Sequence, residues 1–599
     1  MLSAAAPDLA GVRPARLSPN LLLWLLVAVS ALTLVTPAEI LATIDHLSVR
    51  DTDDAMRLAE VRDLVMGQGW FDNTQYRFVP PEGVPSHWSR LVDAPMAALL
   101  LLLTPLAGQA LALGLTAAFW PLVLLALYAV VLHRGVRRDF GPQTAILAIA
   151  AALQTFGLTL QFAPGRVDHH NVQLFAMLGL ALCVIRGGGR AGIVAGLVTA
   201  LSLAVGLEAL PFIAVGALFL MIDWVRRGRE RLPAFLGFGA CLAVAAPLLY
   251  ALQTAPHLWP VAACDALSPP WLWLAVGGGL TALTCAATDR RLATPRARLA
   301  FAGMLGSLVV AGFVAFYPAC LGGPFTGMPR LVKEKWLDTV NEMISLRSFV
   351  AQQRWEIFAF YPSLLVASVV ATVRALRGAP EHRRYFAVAA LFLWPGLAIG
   401  IGQFRGTYIP MGILPLVAAP VFARAIALAA PSAIPPARRL GAAALALSLI
   451  SIVWTLPFHA AALLRPLEME DRAGTALRCL TPEAVTPLAD LPPGTVLALI
   501  RMGPAILLHT PHAIVAAPYH RAISGLVAGI EGLGGSEADL RRHVGARGIT
   551  YLVACPGQPA LDLGPEKAFA TRLAEGEAPP AWLEPLDVPG TFLKVWRVR

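Results

Sequence analysis

Charge is scarce in this chain: Asp, Glu, Lys and Arg make up 14% of its 599 residues, against 57% hydrophobic residues and a mean hydropathy of +0.65. That balance excludes a water-soluble globular protein, because too few polar groups exist to cover the surface. No Gly-Lys-Ser/Thr phosphate loop and no dinucleotide-binding unit occurs, so a nucleotide is not the expected ligand. The net charge of +10 does not point to nucleic acid. Its arginines fall in short clusters between apolar runs rather than along one face. The first apolar run, from Leu21, lacks a small-residue cleavage site and reads as a retained helix rather than a removed signal peptide. Cysteine is also sparse, with seven in all. Cys183, Cys241 and Cys285 sit within or at the edges of apolar segments, whereas Cys264, Cys320, Cys479 and Cys555 lie outside them. Two disulfides in an oxidising compartment and unpaired small apolar side chains are both open readings of those four.

What is present is a series of apolar segments of about 20 residues, the length that crosses a bilayer core, recurring from Leu21 to Leu463. Basic clusters at Arg134–Arg138, Arg186–Arg190, Arg226–Arg231, Arg290–Arg298, Arg374–Arg384 and Arg438–Arg439 are expected on the cytoplasmic side, together with Arg13 and Arg16. The intervening loops at Asp51–Asp93, Gly165–Asn171, Glu208, His257–Pro270, Cys320–Gln353 and Gln403–Thr407 are expected outside. This alternation gives about thirteen helices. The two segments around Glu208 are short enough to form one re-entrant hairpin instead. After Leu463 the pattern changes to short apolar strands at Thr495–Ile500, His512–Ala517 and Ile549–Ala554, with a helix over Glu537–Gly545. The expected architecture is a polytopic α-helical membrane domain over residues 1–463 and a small periplasmic α/β domain over 464–599, in a bacterial inner membrane.

Ionisable residues at a membrane edge are costly and mark candidate functional sites. The first outside loop carries Asp51, Asp53 and Asp54, which can hold a divalent cation or accept a proton, or can cap and open the helix over Ala55–Met66. In the second loop, Asp168 and His170 can offer an oxygen and an imidazole to one cation, with His169 a spare; capping of the next helix is the alternative. Gly327–Leu346 reads as an amphipathic segment on the membrane surface and includes Thr339-Val-Asn-Glu342. Arg405, where a span reaches the outside, can grip phosphate bidentately or snorkel to lipid headgroups.

In this order the elements resemble the catalytic membrane subunit of oligosaccharyltransferases, within the GT-C superfamily of polyprenyl-phosphate-dependent glycosyltransferases. The resemblance spans nearly the whole chain. It implies that Asp53, followed by Ala59-Glu60 and Arg62-Asp63, is the catalytic Asp of the first loop. It also implies that Asp168-His169-His170 occupies the place of the Asp-x-Glu metal motif, with His170 for Glu, giving a site for Mn²⁺ or Mg²⁺ formed by Asp53, Asp168 and His170. Thr339-Val-Asn-Glu342 resembles the fifth-loop element, and Arg405 resembles an Arg on the donor's phosphates. The Trp-Trp-Asp-Tyr-Gly motif that reads an Asn-x-Ser/Thr acceptor has no match, which leaves the acceptor open as lipid, polysaccharide or protein. Pro518-Tyr-His-Arg521 lies elsewhere than that motif and reads as a solvated turn, with contact to a different acceptor as the alternative. The implied reaction moves a sugar or glycan from a polyprenyl-linked (pyro)phosphate donor, inverting the anomeric centre, with Asp53 or Asp54 as base, Glu342 positioning the acceptor and membrane lipid as surroundings. A transporter or flippase of lipid-linked glycans and a non-catalytic assembly subunit are the rival classes. Convergence of Asp53, Asp168, Glu342 and Arg405 favours the enzyme, and their dispersal the subunit.

Overall fold

The computed structural model describes residues 19–34, 36–429, 435–463, 478–557, 562–564 and 566–599. Arg13, Arg16 and the start of the expected second domain at residue 464 lie outside the described residues. The chain is a polytopic helical membrane protein carrying a small C-terminal sheet region. Eight helices among the described residues are long and apolar enough to cross a membrane. Counting two bent pairs as single broken spans, Pro142–Leu153 with Phe156–Phe162 (72°) and Pro436–Leu447 with Ser451–Phe458 (85°), gives ten. The helices on either side of Glu208 are Gly189–Val205 and Leu210–Arg227, of 17 and 18 residues, each about 26 Å long. They are two separate short helices joined at Gly206–Ala209.

Small residues set how closely these helices approach. A Cβ at Gly192 would lie 2.3 Å from the Ala234 carbonyl oxygen, and one at Gly196 2.6 Å from that of Phe238. The Gly189–Val205 helix is thereby seated directly on Leu232–Gln253, as expected where lipid removes the hydrophobic drive and packing must supply it. At the end of the bundle away from Glu208, Asp223 accepts from Arg384 and lies 3.6 Å from Arg231, while Arg298 donates to the Val225 carbonyl at 2.9 Å.

The C-terminal sheet runs Ala513–Ile514, Thr495–Leu497, Tyr551–Ala554, Lys594–Val598, Leu583–Leu586 in space. The first three strands are parallel, and the last two pair antiparallel. The three expected strands are present in shortened form, and the expected helix spans Glu537–Arg547 behind a Ser536/Asp539 capping box. The two antiparallel strands near the C-terminus go beyond the sequence pattern, since these short stretches of four and five residues are interrupted by polar ones.

The first loop belongs to the same core as this sheet. The backbone of Arg77–Val79 adds to the edge strand, with Val79 N–H donating to Ile514 O at 2.8 Å and Ile514 N–H to Arg77 O at 2.7 Å. Met56, Phe78, Val84 and Trp88 pack with Met502, Ile506 and Tyr519. The helix Gly503–His509 ends on two arginines: Arg62 donates to the carbonyls of Leu507 (3.1 Å) and Leu508 (2.9 Å), and Arg77 to those of Leu507 (2.8 Å) and Thr510 (2.9 Å). Guanidinium groups suit these positions because the last carbonyls of a helix have no intrahelical donor.

Two expectations change here. Gly327–Leu346 is not one surface amphipathic segment: it is a short helix, Arg330–Lys335, followed by tight turns, and Val332, Trp336 and Leu337 pack on Leu526 and Ile530 of the helix Ile523–Gly534. Its apolar face meets protein rather than lipid. The cysteine alternatives also resolve, with Cys264–Cys320 and Cys479–Cys555 bonded and Cys183, Cys241 and Cys285 free.

Candidate functional site

The helix Thr52–Val65 begins where Asp51, in extended backbone, accepts from Thr52 N–H (2.6 Å) and Thr52 Oγ1 (3.0 Å). A cap of this kind contributes about 1 kcal/mol and leaves Asp53 and Asp54 in the first turn, where the helix dipole favours negative charge. The expected capping role of this acidic stretch is thus filled by Asp51. Asp54 turns inward and is fully buried. Its Oδ1 accepts from the N–H groups of Val167 (2.9 Å) and Asp168 (3.0 Å), and Oδ2 from Arg166 (3.1 Å). Asp54 thus shapes the second loop rather than facing a substrate, and with both oxygens occupied it is not placed as the proton acceptor. Asp53 lines the cavity instead, beside the Tyr519 hydroxyl, which donates to the Thr52 carbonyl at 3.1 Å.

The second loop turns at Gly165, whose φ of +79° favours glycine and whose N–H donates to Ala117 O at 3.1 Å. It delivers Asp168, buried, with Oδ1 2.6 Å from His169 Nδ1 and Oδ2 3.4 Å from His170 Nε2. His169 Nε2 lies 3.0 Å from Glu208 Oε1, and His170 Nε2 lies 3.5 Å from Glu342 Oε1. Tyr408 donates its hydroxyl to the same Glu342 oxygen at 3.1 Å. Arg57 donates to Asp93 (2.8 Å), lies 3.6 Å from Asp168 and stacks 4.5 Å over the Trp88 ring.

Ligand atoms of Asp168, His169 and His170 all lie within 4.8 Å of one another. Asp168 Oδ2 is buried without a hydrogen-bond partner, a costly state that a cation would relieve. These residues therefore fit a divalent cation. The compact group contains His169 where sequence reasoning placed Asp53; Asp53 borders the same cavity without joining that group.

Six carboxylates (Asp51, Asp53, Asp54, Asp168, Glu208 and Glu342) surround this point against the guanidiniums of Arg57 and Arg166. Burial, then Asp168, Asp51 and Glu342, raise Asp53 well above the usual carboxylate range. Burial also raises Asp54, which Arg166 draws back to about 6. For Asp168, burial opposes ionisation but His169 and His170 outweigh it and hold the group well below its ordinary value. Burial likewise opposes the His169 charge, and Asp168 and Glu208 overcome it, lifting the imidazole to about 9.

The cavity, of about 480 Å³, runs from this cluster to Arg405, which has no ion-pair or hydrogen-bond partner among the described residues. Glu342, Tyr408 and Gln403 line it as well, as do His87, Trp88, Asp265, Phe325, Tyr519 and His520. The Pro518–Arg521 run is therefore no solvated turn: Tyr519 is buried against Trp88 and Phe78. Sequence reasoning also passed over Arg57 and Arg166. A signal existed for Arg166, two residues before Asp168, and for Glu208, a carboxylate isolated between apolar segments.

No family model matches the chain, and no curated protein matches it in sequence. In three dimensions it is similar to the archaeal oligosaccharyltransferase AglB from Archaeoglobus fulgidus in complex with an inhibitory peptide and a dolichol-phosphate, with a TM-score of 0.64 at 15% identity over 89% of this chain and 69% of that one. The Archaeoglobus fulgidus oligosaccharyltransferase tethered to an acceptor peptide containing the NVT sequon gives 0.61 at 14% identity over 89% and 68%. The same enzyme in complex with Zn and sulfate gives 0.59 at 15% identity over 89% and 67%. The shared property at these identities is the fold of these oligosaccharyltransferases, in keeping with the resemblance in sequence motifs.

Proposed function

We propose that the chain is a glycosyltransferase that takes a sugar or glycan from a polyprenyl-linked phosphate or pyrophosphate donor at the periplasmic face of a bacterial inner membrane and passes it to an acceptor with inversion. The observation that carries this reading is the convergence on one cavity of Asp53, the Asp168/His169/His170 group, Glu342 and an unpaired Arg405. A non-catalytic subunit gives no reason for these side chains to meet. The likeness to proteins solved in complex with a dolichol-phosphate and with a tethered acceptor peptide supports the substrate class.

In the mechanism that follows, Arg405 binds the donor's phosphate oxygens through its planar fork, for which it has no competing partner among the described residues. Asp168, His169 and His170 would hold a divalent cation such as Mn²⁺ or Mg²⁺, which supplies charge stabilisation to the departing phosphate. Asp53 accepts the proton of the attacking acceptor group; its burial among other carboxylates raises its affinity for that proton. Glu342, steadied by Tyr408, orients the acceptor for attack opposite the leaving phosphate, so that one carbon–oxygen bond breaks as the new glycosidic bond forms. Asp54 acts indirectly, by fixing the backbone of Val167 and Asp168.

Transfer of radiolabelled sugar from a polyprenyl-linked donor pool in membranes tests this, comparing the chain with its Asp53→Asn variant at matched expression, with and without chelator. Loss of transfer by about 100-fold or more in the variant is expected. Equal transfer by both would remove Asp53 from the mechanism, and no transfer by either would favour a conduit for lipid-linked glycans.

A further inference from the structure

A second group of metal-ligating side chains faces the cavity and plays no part in the chemistry above. His87 comes from the first loop, Asp265 from the loop before the helix Pro269–Thr288, and His520 from the C-terminal region, yet their ligand atoms all lie within 4.8 Å of one another. His520 Nε2 is 2.8 Å from Asp265 Oδ2, and the His87 and His520 rings stand edge to face at 4.7 Å. Neither ring nitrogen of His87 has a hydrogen-bond partner among the described residues, although the ring is only partly exposed.

We propose that His87, Asp265 and His520 form a second divalent-cation site, of the borderline class that Zn²⁺ represents, which latches three distant segments together at the wall of the cavity. Two imidazoles and one carboxylate are the donor set that favours Zn²⁺ over Mg²⁺ or Ca²⁺, and three protein ligands leave a fourth position open towards the cavity. The donor atoms of a tetrahedral zinc site stand about 3.3 Å apart, given zinc–ligand distances near 2.0 Å, so small side-chain adjustments seat the ion. Arg521 supplies the outer support that zinc carboxylates ordinarily have: it donates to Asp265 through Nε (2.8 Å) and Nη2 (3.0 Å). The carboxylate retains lone pairs beyond those two bonds. The neighbouring Cys264–Cys320 disulfide anchors the Asp265 backbone from the other side. The site stands on this geometry alone and does not depend on the transferase reading.

The test uses the full-length chain, purified in detergent, stripped with chelator and reloaded with Zn²⁺ alone, with bound metal counted by elemental analysis. The Asp168→Asn variant, which cripples the first cation group, is expected to keep one equivalent. Adding His87→Gln or His520→Gln to that variant is expected to weaken the remaining site by at least about 100-fold. An unchanged zinc count on adding either histidine substitution would overturn the proposal. Co²⁺ loaded into the Asp168→Asn chain, where all three ligands are intact, separates ligand loss from misfolding: an intense visible band of a tetrahedral ion supports the site, and the weak band of an octahedral ion removes it.

Discussion

His169 Nε2 and Glu208 Oε1 lie 3.0 Å apart, joining the second loop to the short connection between two helices that are otherwise separate in the bundle. Glu208 accordingly acts on the imidazole that faces Asp168 from its other edge. A carboxylate behind a ligating histidine fixes the ring's tautomer and orientation, and its loss typically weakens metal binding 10- to 100-fold. Glu208→Gln is expected to reduce Mn²⁺ affinity by about that factor. Free Mn²⁺ measured by electron paramagnetic resonance reads the effect, and unchanged affinity would mean that Glu208 only closes the loop.

Cation binding should also depend on pH in a defined direction. His169 keeps its proton up to about 9, because Asp168 and Glu208 favour the charged form more than burial opposes it. Proton and cation compete for the same ring, so affinity rises with pH by about ten-fold per unit until about 9 and then levels. Calorimetric Mn²⁺ titrations from neutral pH to beyond that point should show this slope together with proton release. A flat profile would exclude His169 as a ligand.

Arg405 offers a cleaner probe of the donor, since no partner among the described residues is left stranded by its removal. Arg405→Ala should raise KM for the lipid-linked donor and lower kcat/KM by about 10- to 100-fold, the range of a lost charge-assisted pair, with Arg405→Lys intermediate. A change confined to the acceptor's KM would place the phosphate elsewhere.

Arg62 and Arg77 meet on one acceptor, the carbonyl of Leu507. Each Arg→Ala change should cost about 1–3 kcal/mol of stability. Because the acceptor is shared, the double variant should depart from additivity by about 0.5 kcal/mol or more. Thermal unfolding of the four proteins of that cycle measures the coupling, and strict additivity would show that the two contacts act independently.

The membrane part was legible because lipid imposes one rule, a long apolar helix, that writes itself into composition. Asp53, Asp168, His170, Glu342 and Arg405 were legible through motif order; four of them border one cavity, and Asp168 is buried beside His169 and His170. The supporting charges were not. Arg57 pairs with Asp93 across 36 residues and Arg166 with Asp54 across 112, and no periodicity encodes contacts at such separations. Tyr519 was misread for a related reason. A Pro-Tyr-His-Arg run looks like a polar turn until Trp88 and Phe78, from the far end of the chain, are folded against it. Asp54 and Asp53 are neighbours of one chemical type, and only the helix's orientation separates a loop-shaping group from a cavity-facing one.

The backbone bridge between Phe78 and Ile514 has a consequence for biosynthesis. A ribosome releases the first loop long before the strand that pairs with it, the partners of Arg77 lying up to 435 residues downstream. At roughly 5–20 residues per second, that loop waits some 20–90 seconds for its partner. Through this interval its Trp88 and Phe78 are uncovered, and a fragment made without it would present Ala513–Ile514 as an open edge ready to pair with other chains. Insertion factors or chaperones that shield the loop during synthesis would then influence yield as strongly as a substitution at the cavity-facing carboxylates.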